Sequence, residues 1–407
     1  MSSTGHRKET GAAGCACQRV PNVPYEPQEA RSVGRLKVLF AASGAGIGTL
    51  MPYLAVYLAS RGLSATLVGL VLGWMAAVGV VAVPLWGALA DRGRGAAWAL
   101  RLSCALAAVG SLLLLAAGHW LPAVIAASAL LAAARAPGEA LADTLALTVL
   151  GPSGGQRYGS IRLWSSAGFA VAVAGWGLLL GRTSLSLVLV AYPAALLLVF
   201  AASTPLHASA ASPRAAVPRT PFRSIMRPDL AALLLGTGVF GVAMGASWTV
   251  LPLRLTDIGG GVAAVAAASV VGALTEIPFM LSTGRLQERL GPGRVFLVGG
   301  ALFSASSGLY GVLTAPGLIV GASVLRGAGY ALVYVGLVTS VGTLLPPHQR
   351  ATGQALLQTT LMGVAPIVGA SLGGFTYERS PALLFGLSAA LALVGALIAR
   401  NVIRGAT

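Results

Sequence analysis

The amino-acid sequence predicts an all-α membrane protein, with twelve transmembrane helices arranged as two pseudo-symmetric six-helix halves. Of the 407 residues, 56% are hydrophobic and 9% are charged, whereas a soluble domain averages about 25% charged residues. Twelve apolar runs follow one another, each near or above the roughly 20 residues that a helix needs to cross a bilayer. The runs are 36–59, 66–90, 97–118, 120–149, 159–181, 185–203, 230–255, 261–283, 294–314, 316–345, 353–377 and 381–403.

A repeat at an offset of 197 residues indicates the two halves. At this offset Gly87 coincides with Gly284, and the acidic-basic pair Asp91-Arg92 coincides with Glu288-Arg289. Glycine matches are expected by chance in a chain this rich in glycine, but the charged pair is a stronger signal. Duplicated halves joined by a polar loop are typical of secondary transporters, in which the solute site lies between the repeats.

The chain divides into a polar tail (1–34), a first half (35–203), a polar linker (204–229) and a second half (230–404). The tail lacks the apolar segment of a signal peptide, so we expect a disordered cytoplasmic tail. With twelve spans both termini lie on one side, and 21 of the 27 Lys and Arg residues fall on that side. The positive-inside rule therefore predicts a multi-pass protein of the cell (inner) membrane with both termini in the cytoplasm.

The composition excludes several other classes of protein. The net charge of +16 does not predict a nucleic-acid partner, because the arginines fall in short gaps between apolar runs. Cys15, Cys17 and Cys104 are too few and too scattered for a disulfide framework or a metal site, and we expect no cofactor. H-E-x-x-H is absent, and the G-x-S-x-G string at 369–373 lies inside a predicted apolar span rather than in the strand-to-helix turn of a nucleophile elbow. No His and Asp residues cluster in the sequence, so no enzyme is predicted. The expected partners are a small-molecule solute, protons and the lipid bilayer, with a monomeric protein.

Five ionisable residues lie well inside the predicted spans, away from their ends, where each costs about 2.5–3.5 kcal/mol if unpaired. Residues 135, 139 and 143 recur every four positions, which places them on one helix face. We therefore expect an intrahelical pair between Arg135 and Glu139. The five residues are Arg135, Glu139, Asp143, Glu276 and Arg326.

A second pair is predicted around the turn GPSGG at 151–155, where Gly and Pro end one helix before the next begins. Asp143 precedes this turn and Arg162 follows it at similar spacing, so both lie roughly 14 Å from the turn in a helical hairpin. Opposite charges at equal depth predict a polar solute site, in which Asp143 is also a candidate for proton coupling. The alternative is a salt bridge at the cytoplasmic end of the two helices.

Glu276 has no basic neighbour in the sequence and is the leading candidate for proton coupling, because an unpaired carboxylate is costly in hydrocarbon. The alternative is a structural ion pair with Arg326. Tyr330 and Tyr334 follow Arg326 at four-residue spacing, so all three share a face and are candidate solute contacts. The other aromatic residues of the spans are expected to pack the bundle.

The loop after the second span reads GALADRGR from Gly87 to Arg94. It resembles the G-x-x-x-D-R-x-G-R-R motif of the major facilitator superfamily, although one glycine is displaced. The resemblance implies a gate in which the aspartate faces the N-terminus of the eleventh helix, near Thr352. The alternative is a charged loop that only obeys the positive-inside rule. The candidate gating residues are Gly87, Asp91, Arg92, Arg94, Glu288 and Arg289.

The fifth helix contains RYGSIRLWSSAGF from Arg157 to Phe169. This stretch resembles the branch of the superfamily that includes lactose permease, nucleoside/proton symporters and phenylpropionate permeases, over residues 35–404. Places that bind sugar in lactose permease fall on Arg162 and, with a shift of about one residue, on Asp143. A histidine of the tenth helix falls on Arg326, which stays charged at physiological pH and cannot relay a proton. An anion-binding site is the alternative that this departure suggests.

The expected function is secondary active transport of a small organic solute by alternating access. The branch resemblance favours proton-coupled uptake (symport) over proton-coupled efflux of a drug or metabolite. The fifth helix also lacks the G-P-x-x-G-G motif of drug/proton antiporters. A non-transporting membrane sensor or scaffold is the alternative of another class, and it leaves three membrane carboxylates without a role.

Overall fold

The computed structural model describes residues 27–92, 95–150, 155–206, 226–346 and 349–405. Within these ranges the chain is helical and contains no β-strand. Most of the predicted tail, most of the linker and the gating candidate Arg94 lie outside the described residues. The predicted all-α class is confirmed.

The described residues form the twelve predicted spans. The first half contains α1 Pro27–Ser60, α2 Ala65–Arg92, α3 Gly95–Ala116, α4 in two segments (Leu121–Arg135 and Gly138–Leu150), α5 Gly155–Leu179 and α6 Leu187–Ser203. The second half contains α7 Pro228–Asp257, α8 Gly261–Leu290, α9 Pro292–Val312, α10 Pro316–Leu344, α11 in three segments (Arg350–Gln358, the π-helical Thr359–Val364 and Ala365–Arg379) and α12 Pro381–Gly405.

Ten of these spans are long and apolar enough to cross a membrane. The other two are α6, which is apolar but has 17 residues, and α5, whose first turns are polar. The first helix begins at Pro27, earlier than the predicted start of the first half at residue 35. Proline is favoured in the first helical turn because its missing N–H has no partner there in any case.

The repeat is visible in the backbone. Gly62 lies in the α1–α2 connection with φ of 85°, and Gly259 lies in the equivalent α7–α8 connection with φ of 84°. These two glycines lie at the predicted offset, and both adopt the left-handed conformation that other residues rarely adopt. The two halves therefore share the same turn chemistry.

Proline breaks α4 in the middle of the membrane. Pro137 has no N–H to donate to the carbonyl of Ala133, four residues earlier. The indole Nε1 of Trp86, on α2, donates to that free carbonyl at 2.9 Å instead. The break separates Arg135 at the end of one segment from Glu139 at the start of the next.

Proline also accompanies the π-helical segment of α11. Pro366 cannot donate to the turn before it, and the N–H of Ala365 bonds to the carbonyl of Thr360, five residues earlier. Such π-helical turns occur mostly inside α-helices and often at functional sites. The helix is thereby divided into an amphipathic first segment and an apolar second one.

The buried side chains form three hydrophobic clusters, and their distribution defines the shape of the bundle. One cluster combines both halves, with Tyr53 and Leu131 from the first and Val250 and Ala266 from the second. The other two clusters each belong to one half: Leu36 and its neighbours in the first, Phe240 and its neighbours in the second. We call the end of the bundle that carries both termini the terminal end. The halves share a core at the opposite end and have separate cores at the terminal end.

Close helix contacts join the halves at the end opposite the termini. Helix α2 packs against α11, and α5 packs against α8. A side-chain carbon built on Gly69 would lie 2.3 Å from the carbonyl oxygen of Ala370, and one on Gly177 would lie 2.3 Å from Cβ of Ala266. Glycine is therefore required for this approach of the backbones. The bundle is closed at this end and separates toward the terminal end, leaving a cleft between the halves.

Candidate functional site

Arg162 on α5 is shared between two carboxylates of α4. Its Nη2 lies 3.6 Å from Oε1 of Glu139, and its Nε lies 4.0 Å from Oδ1 of Asp143. The predicted proximity of Arg162 and Asp143 is confirmed, and Glu139 is an addition to it. All three side chains are partly exposed (38%, 55% and 35% for Arg162, Glu139 and Asp143). These distances are longer than hydrogen bonds. Oδ1 of Asp143 is buried without a hydrogen-bond partner, whereas the carboxylate of Glu139 is exposed and therefore accessible to a solute.

The predicted pair between Arg135 and Glu139 is wrong. Nη2 of Arg135 instead donates to Sδ of Met51 on α1 at 3.0 Å, and the guanidinium interacts with the hydroxyl of Tyr192 on α6. The break at Pro137 explains the difference, because residues four apart share a face only in a continuous helix. Arg135 is turned into the first half, whereas Glu139 pairs with Arg162.

Aromatic side chains support the Arg162 cluster. The guanidinium lies over the ring of Phe40 at 5.9 Å, and Phe40 contacts the ring of Tyr158 edge-on at 6.2 Å. The hydroxyl of Tyr158 interacts with both Asp143 and Arg162. Sequence reasoning missed Tyr158 at this place. Its position four residues before Arg162, on the same helix face, is the signal that could have found it.

The side chain of Arg326 on α10 packs against Gly272 of α8, where the missing side chain leaves room for it. A Cβ added to Gly272 would lie 2.0 Å from Nη2 of Arg326. The same Nη2 donates a hydrogen bond to the carbonyl of Ala268 at 3.1 Å. The Nε of Arg326 is buried and has no hydrogen-bond partner. Within the described residues no carboxylate lies within 4.0 Å of this guanidinium.

Glu276 lies on the same face of α8 as Ala268 and Gly272, at spacings of four residues. The charge of Arg326 attracts its carboxylate. The ion pair of Glu276 with Arg326, the alternative to proton coupling, is nevertheless not formed among the described residues, since the two groups are not within 4.0 Å. The half-buried carboxyl group is therefore not held by a direct salt bridge in this conformation.

An aromatic stack continues the second half's wall of the cleft. Tyr330 and Tyr334 are stacked at 5.6 Å with an angle of 27° between their rings, and Trp248 of α7 contacts Tyr330 at 5.5 Å. Nε2 of Gln358, on the first segment of α11, donates to the Tyr334 hydroxyl at 3.0 Å. Gln358 was not identified from the sequence, where nothing distinguishes it from other polar residues at helix ends.

One tyrosine of the second wall lies within electrostatic reach of carboxylates from both halves. The charges of Glu139 of the first half and Glu276 of the second both act on the hydroxyl of Tyr330. The structure brings the predicted candidates together as two groups: Asp143 with Arg162 on one wall, and residues of α8 and α10 on the other. Those of the second wall are Glu276, Arg326, Tyr330 and Tyr334.

The predicted gate lies at the terminal end and is not engaged. Asp91 and Thr352 are both exposed, and within the described residues Asp91 makes no hydrogen bond or ion pair. The lock stays a prediction for a conformation closed at this end. The other described gating candidates occupy the ends of α2 and α8, namely Gly87, Arg92, Glu288 and Arg289.

A separate connection joins the halves at the closed end. The backbone N–H of Thr66, in the first turn of α2, donates to Oε2 of Glu378 on α11 at 3.1 Å, and the Thr66 hydroxyl donates to the same oxygen. A carboxylate at a helix N-terminus is favourable because free N–H groups point toward it. In the described part of the chain, no three His, Cys, Asp or Glu side chains form a cluster that could hold a metal ion.

Comparison with known proteins identifies relatives over nearly the whole chain. A family model described as "MFS_1 like family" matches residues 34–387. Maltose permease from Geobacillus stearothermophilus is 30% identical over 339 residues, which cover 82% of this chain and 84% of that protein.

Two solved structures show the same fold. The nucleoside transporter NupG superposes with a TM-score of 0.78 at 16% identity, over 91% of this chain and 98% of that one. A bacterial homologue of the human lysosomal transporter Spinster, in an inward-facing and unoccupied conformation, superposes with a TM-score of 0.66 at 14% identity, over 94% of both chains. At these identities the likeness concerns the fold alone.

Proposed function

Because this chain belongs to the MFS_1 like family, whose members are multi-pass membrane transporters of the major facilitator type, we propose that it takes up a small organic solute together with protons. Its site is the cleft between the halves, and it works by alternating access in the cell membrane with both termini in the cytoplasm. The Geobacillus stearothermophilus relative, named a permease, supports uptake over efflux.

The observation that carries this proposal is that each half presents a group of ionisable and polar side chains within its spans. One wall offers Arg162 between Glu139 and Asp143, and the other offers Arg326 and Glu276 beside an aromatic stack. Ionisable groups at membrane depth are expensive and are retained where they serve a solute or ion pathway. Solute sites at the interface between repeats are characteristic of this architecture.

The distribution of the cores supports an inward-open conformation. The shared cluster closes the end opposite the termini, while each half has its own cluster at the terminal end. With the termini in the cytoplasm, as the charge distribution predicts, the cleft opens to the cytoplasm. In the other conformation the terminal end closes, Asp91 meets the start of α11, and the glycine contacts of α2 and α5 separate.

Glu276 is the proposed proton carrier, with Asp143 as the second candidate. Among the described residues Glu276 has no direct ion pair that would hold it as an anion, and Arg326 beside it keeps its charge at all physiological pH values. Protonation of Glu276 therefore changes the charge of this wall while Arg326 does not. The carboxylate of Asp143 is less free, because Arg162 and Tyr158 both interact with it.

The test is transport by the purified protein in liposomes with an imposed pH gradient. A set of small solutes that includes maltose, nucleosides and dipeptides is first screened by thermal stabilisation, and the binders are then tested for accumulation. We expect accumulation that depends on the gradient, with Glu276→Gln abolishing the gradient dependence while exchange of bound solute persists. The matched control is Asp229→Asn, an exposed carboxylate at the start of α7.

Three results would count against the proposal. Intact gradient-driven accumulation in Glu276→Gln would make the proton assignment wrong. Export against a solute gradient, driven by proton entry, would favour the efflux alternative. Specific binding without movement of any bound solute would favour a sensor or scaffold.

A further inference from the structure

Two arginines within the spans, Arg135 and Arg326, have no carboxylate within 4.0 Å in the described part of the chain. Arg162, by contrast, holds two carboxylates, Glu139 and Asp143. Arg135 is turned toward Met51 and Tyr192 of the first half. Arg326 is therefore the arginine of the second half's wall that is not held by a direct ion pair, and the carboxylate that acts on it is Glu276.

The surroundings of Arg326 leave most of its hydrogen-bonding capacity unused. A guanidinium carries five N–H donors, and in the described part of the chain the hydrogen bond from Nη2 to the Ala268 carbonyl is the one it makes. Its Nε is enclosed without an acceptor, whereas the residue as a whole is half-buried. A buried donor without a partner carries a desolvation penalty that a suitable acceptor removes.

Gly272 fixes the direction of this side chain. The guanidinium occupies the space that a side chain at position 272 would fill, so no Cβ could be added there without displacing it. Gly327, the next residue on α10, packs against the carbonyl of Gly272 and holds the two helices together. Arg326 is thus positioned by the backbone rather than by a carboxylate, and its position does not depend on the charge that it is to bind.

The groups that face Arg326 and Glu276 from the neighbouring elements are few. From α10, Tyr330 lies near Glu276, and from α7 the neutral Trp248 contacts Tyr330. The charged groups of α4 and α5 belong to the opposite wall, where Glu139 acts on Tyr330. Glu276 is the one described carboxylate whose charge competes with an incoming anion at Arg326, and its protonation removes that competition.

We propose that the solute of this cleft is an organic acid: its anionic group binds the guanidinium of Arg326, and a flat ring of the same molecule stacks on Trp248, Tyr330 and Tyr334. The proposal rests on the proposed function, because it uses the same cleft as the solute site. The spacing supports it, since Arg326, Tyr330 and Tyr334 follow one face of α10 at four-residue intervals. Guanidinium is the protein group best suited to carboxylate recognition.

Proton coupling follows from the same arrangement. The anion supplies the negative charge that Glu276 gives up when it is protonated, so the wall binds one proton and one anion without a change in net charge. A neutral solute with the same ring, such as a glycoside, leaves Arg326 without a counter-ion when Glu276 is protonated. The site is therefore expected to discriminate an acid from its neutral counterpart rather than one ring from another.

The experiment compares matched pairs of ligands on the full-length protein in detergent. Methyl glucuronide is compared with methyl glucoside, and benzoate with benzamide, by quenching of tryptophan fluorescence and by thermal stabilisation. We expect the wild type to bind the acid of at least one pair about ten- to a hundredfold more tightly than its neutral partner, as a charge-assisted hydrogen bond implies. Arg326→Gln is expected to lose this preference, and Arg326→Lys to keep part of it.

Each outcome decides the proposal. Equal binding or preference for the neutral member of both pairs by the wild type would overturn it, whatever the folding of the variants. Retention of the acid preference by Arg326→Gln would also overturn it. Acid preference without gradient-driven accumulation would refute the proton coupling of the proposed function and leave the anion site standing. Accumulation of a neutral solute driven by the pH gradient, without a preference for acids, would refute the anion site and leave the proton coupling of the proposed function standing.

Discussion

Substitution of Gly374 by alanine is predicted to open the closed end of the bundle. A side-chain carbon at this position would lie 2.1 Å from the carbonyl oxygen of Ala65 on α2, and ordinary contact begins at 3.4 Å. Helices α2 and α11 must therefore move apart by about 1.3 Å at this point, because backbone atoms cannot rotate away. Overpacking of this kind costs about 1–3 kcal/mol.

In the proposed alternating-access cycle this cost applies only to the conformation that is closed at the end opposite the termini, because the contact is lost when that end opens. The population ratio of the two proposed conformations is thus expected to shift about 5- to 150-fold toward the one that is open at this end. Gly386→Ala on α12 is the matched control, since nothing lies within 4 Å of an added carbon there. Both substitutions remove the same conformational freedom from a helix, so their difference reports the clash.

The assay is a distance measurement between spin labels in a background without native cysteines. Labels at Arg182, after α5, and at Arg379, at the end of α11, report the closed end from both halves. For Gly374→Ala we expect a second, longer distance to become dominant. A distribution identical to that of Gly386→Ala would refute the argument that glycine contact maintains closure. Elution as a monodisperse species checks that both variants are folded.

Two further predictions concern the other polar contacts. Arg162→Ala is expected to raise the solute concentration for half-maximal transport about tenfold or more, because two carboxylates lose their shared cation. The measurement is the initial rate of uptake. Unchanged uptake kinetics would show that this cluster is a structural salt bridge and not part of the solute site. Glu378→Gln is expected to shift the spin-label distances in the same direction as Gly374→Ala but less, because a neutral amide oxygen is a weaker acceptor for Thr66. A shift toward shorter distances would contradict a stabilising role of the Thr66–Glu378 contact at the closed end.

The helices could be predicted well because the length of each apolar run can be counted directly in the sequence. The second and ninth spans, predicted at 66–90 and 294–314, are Ala65–Arg92 and Pro292–Val312 in the structure. The proximity of Arg162 and Asp143 followed from counting residues on both sides of one turn. Such counting works because the rise per residue of a helix is constant.

Side-chain partners across irregular backbone could not be predicted in this way. The pair of Arg135 and Glu139 failed because a proline break changes the rotation between the segments. The contact of Thr66 with Glu378 joins residues 312 positions apart. Hydrophobic periodicity shows which residues form helices but not which end of a helix bundle is closed, so it contains no signal for this contact.

The hydrogen bond from Trp86 to the Ala133 carbonyl has a mechanical consequence. Helix α2 contacts the second half along residues 69–80 and contacts the break in α4 through Trp86. In the proposed alternating-access cycle, a tilt of α2 would therefore move the break in α4 through this one hydrogen bond, and with it the start of the segment that carries Glu139 and Asp143. Opening of one end of the bundle would thereby change the geometry of the candidate solute site.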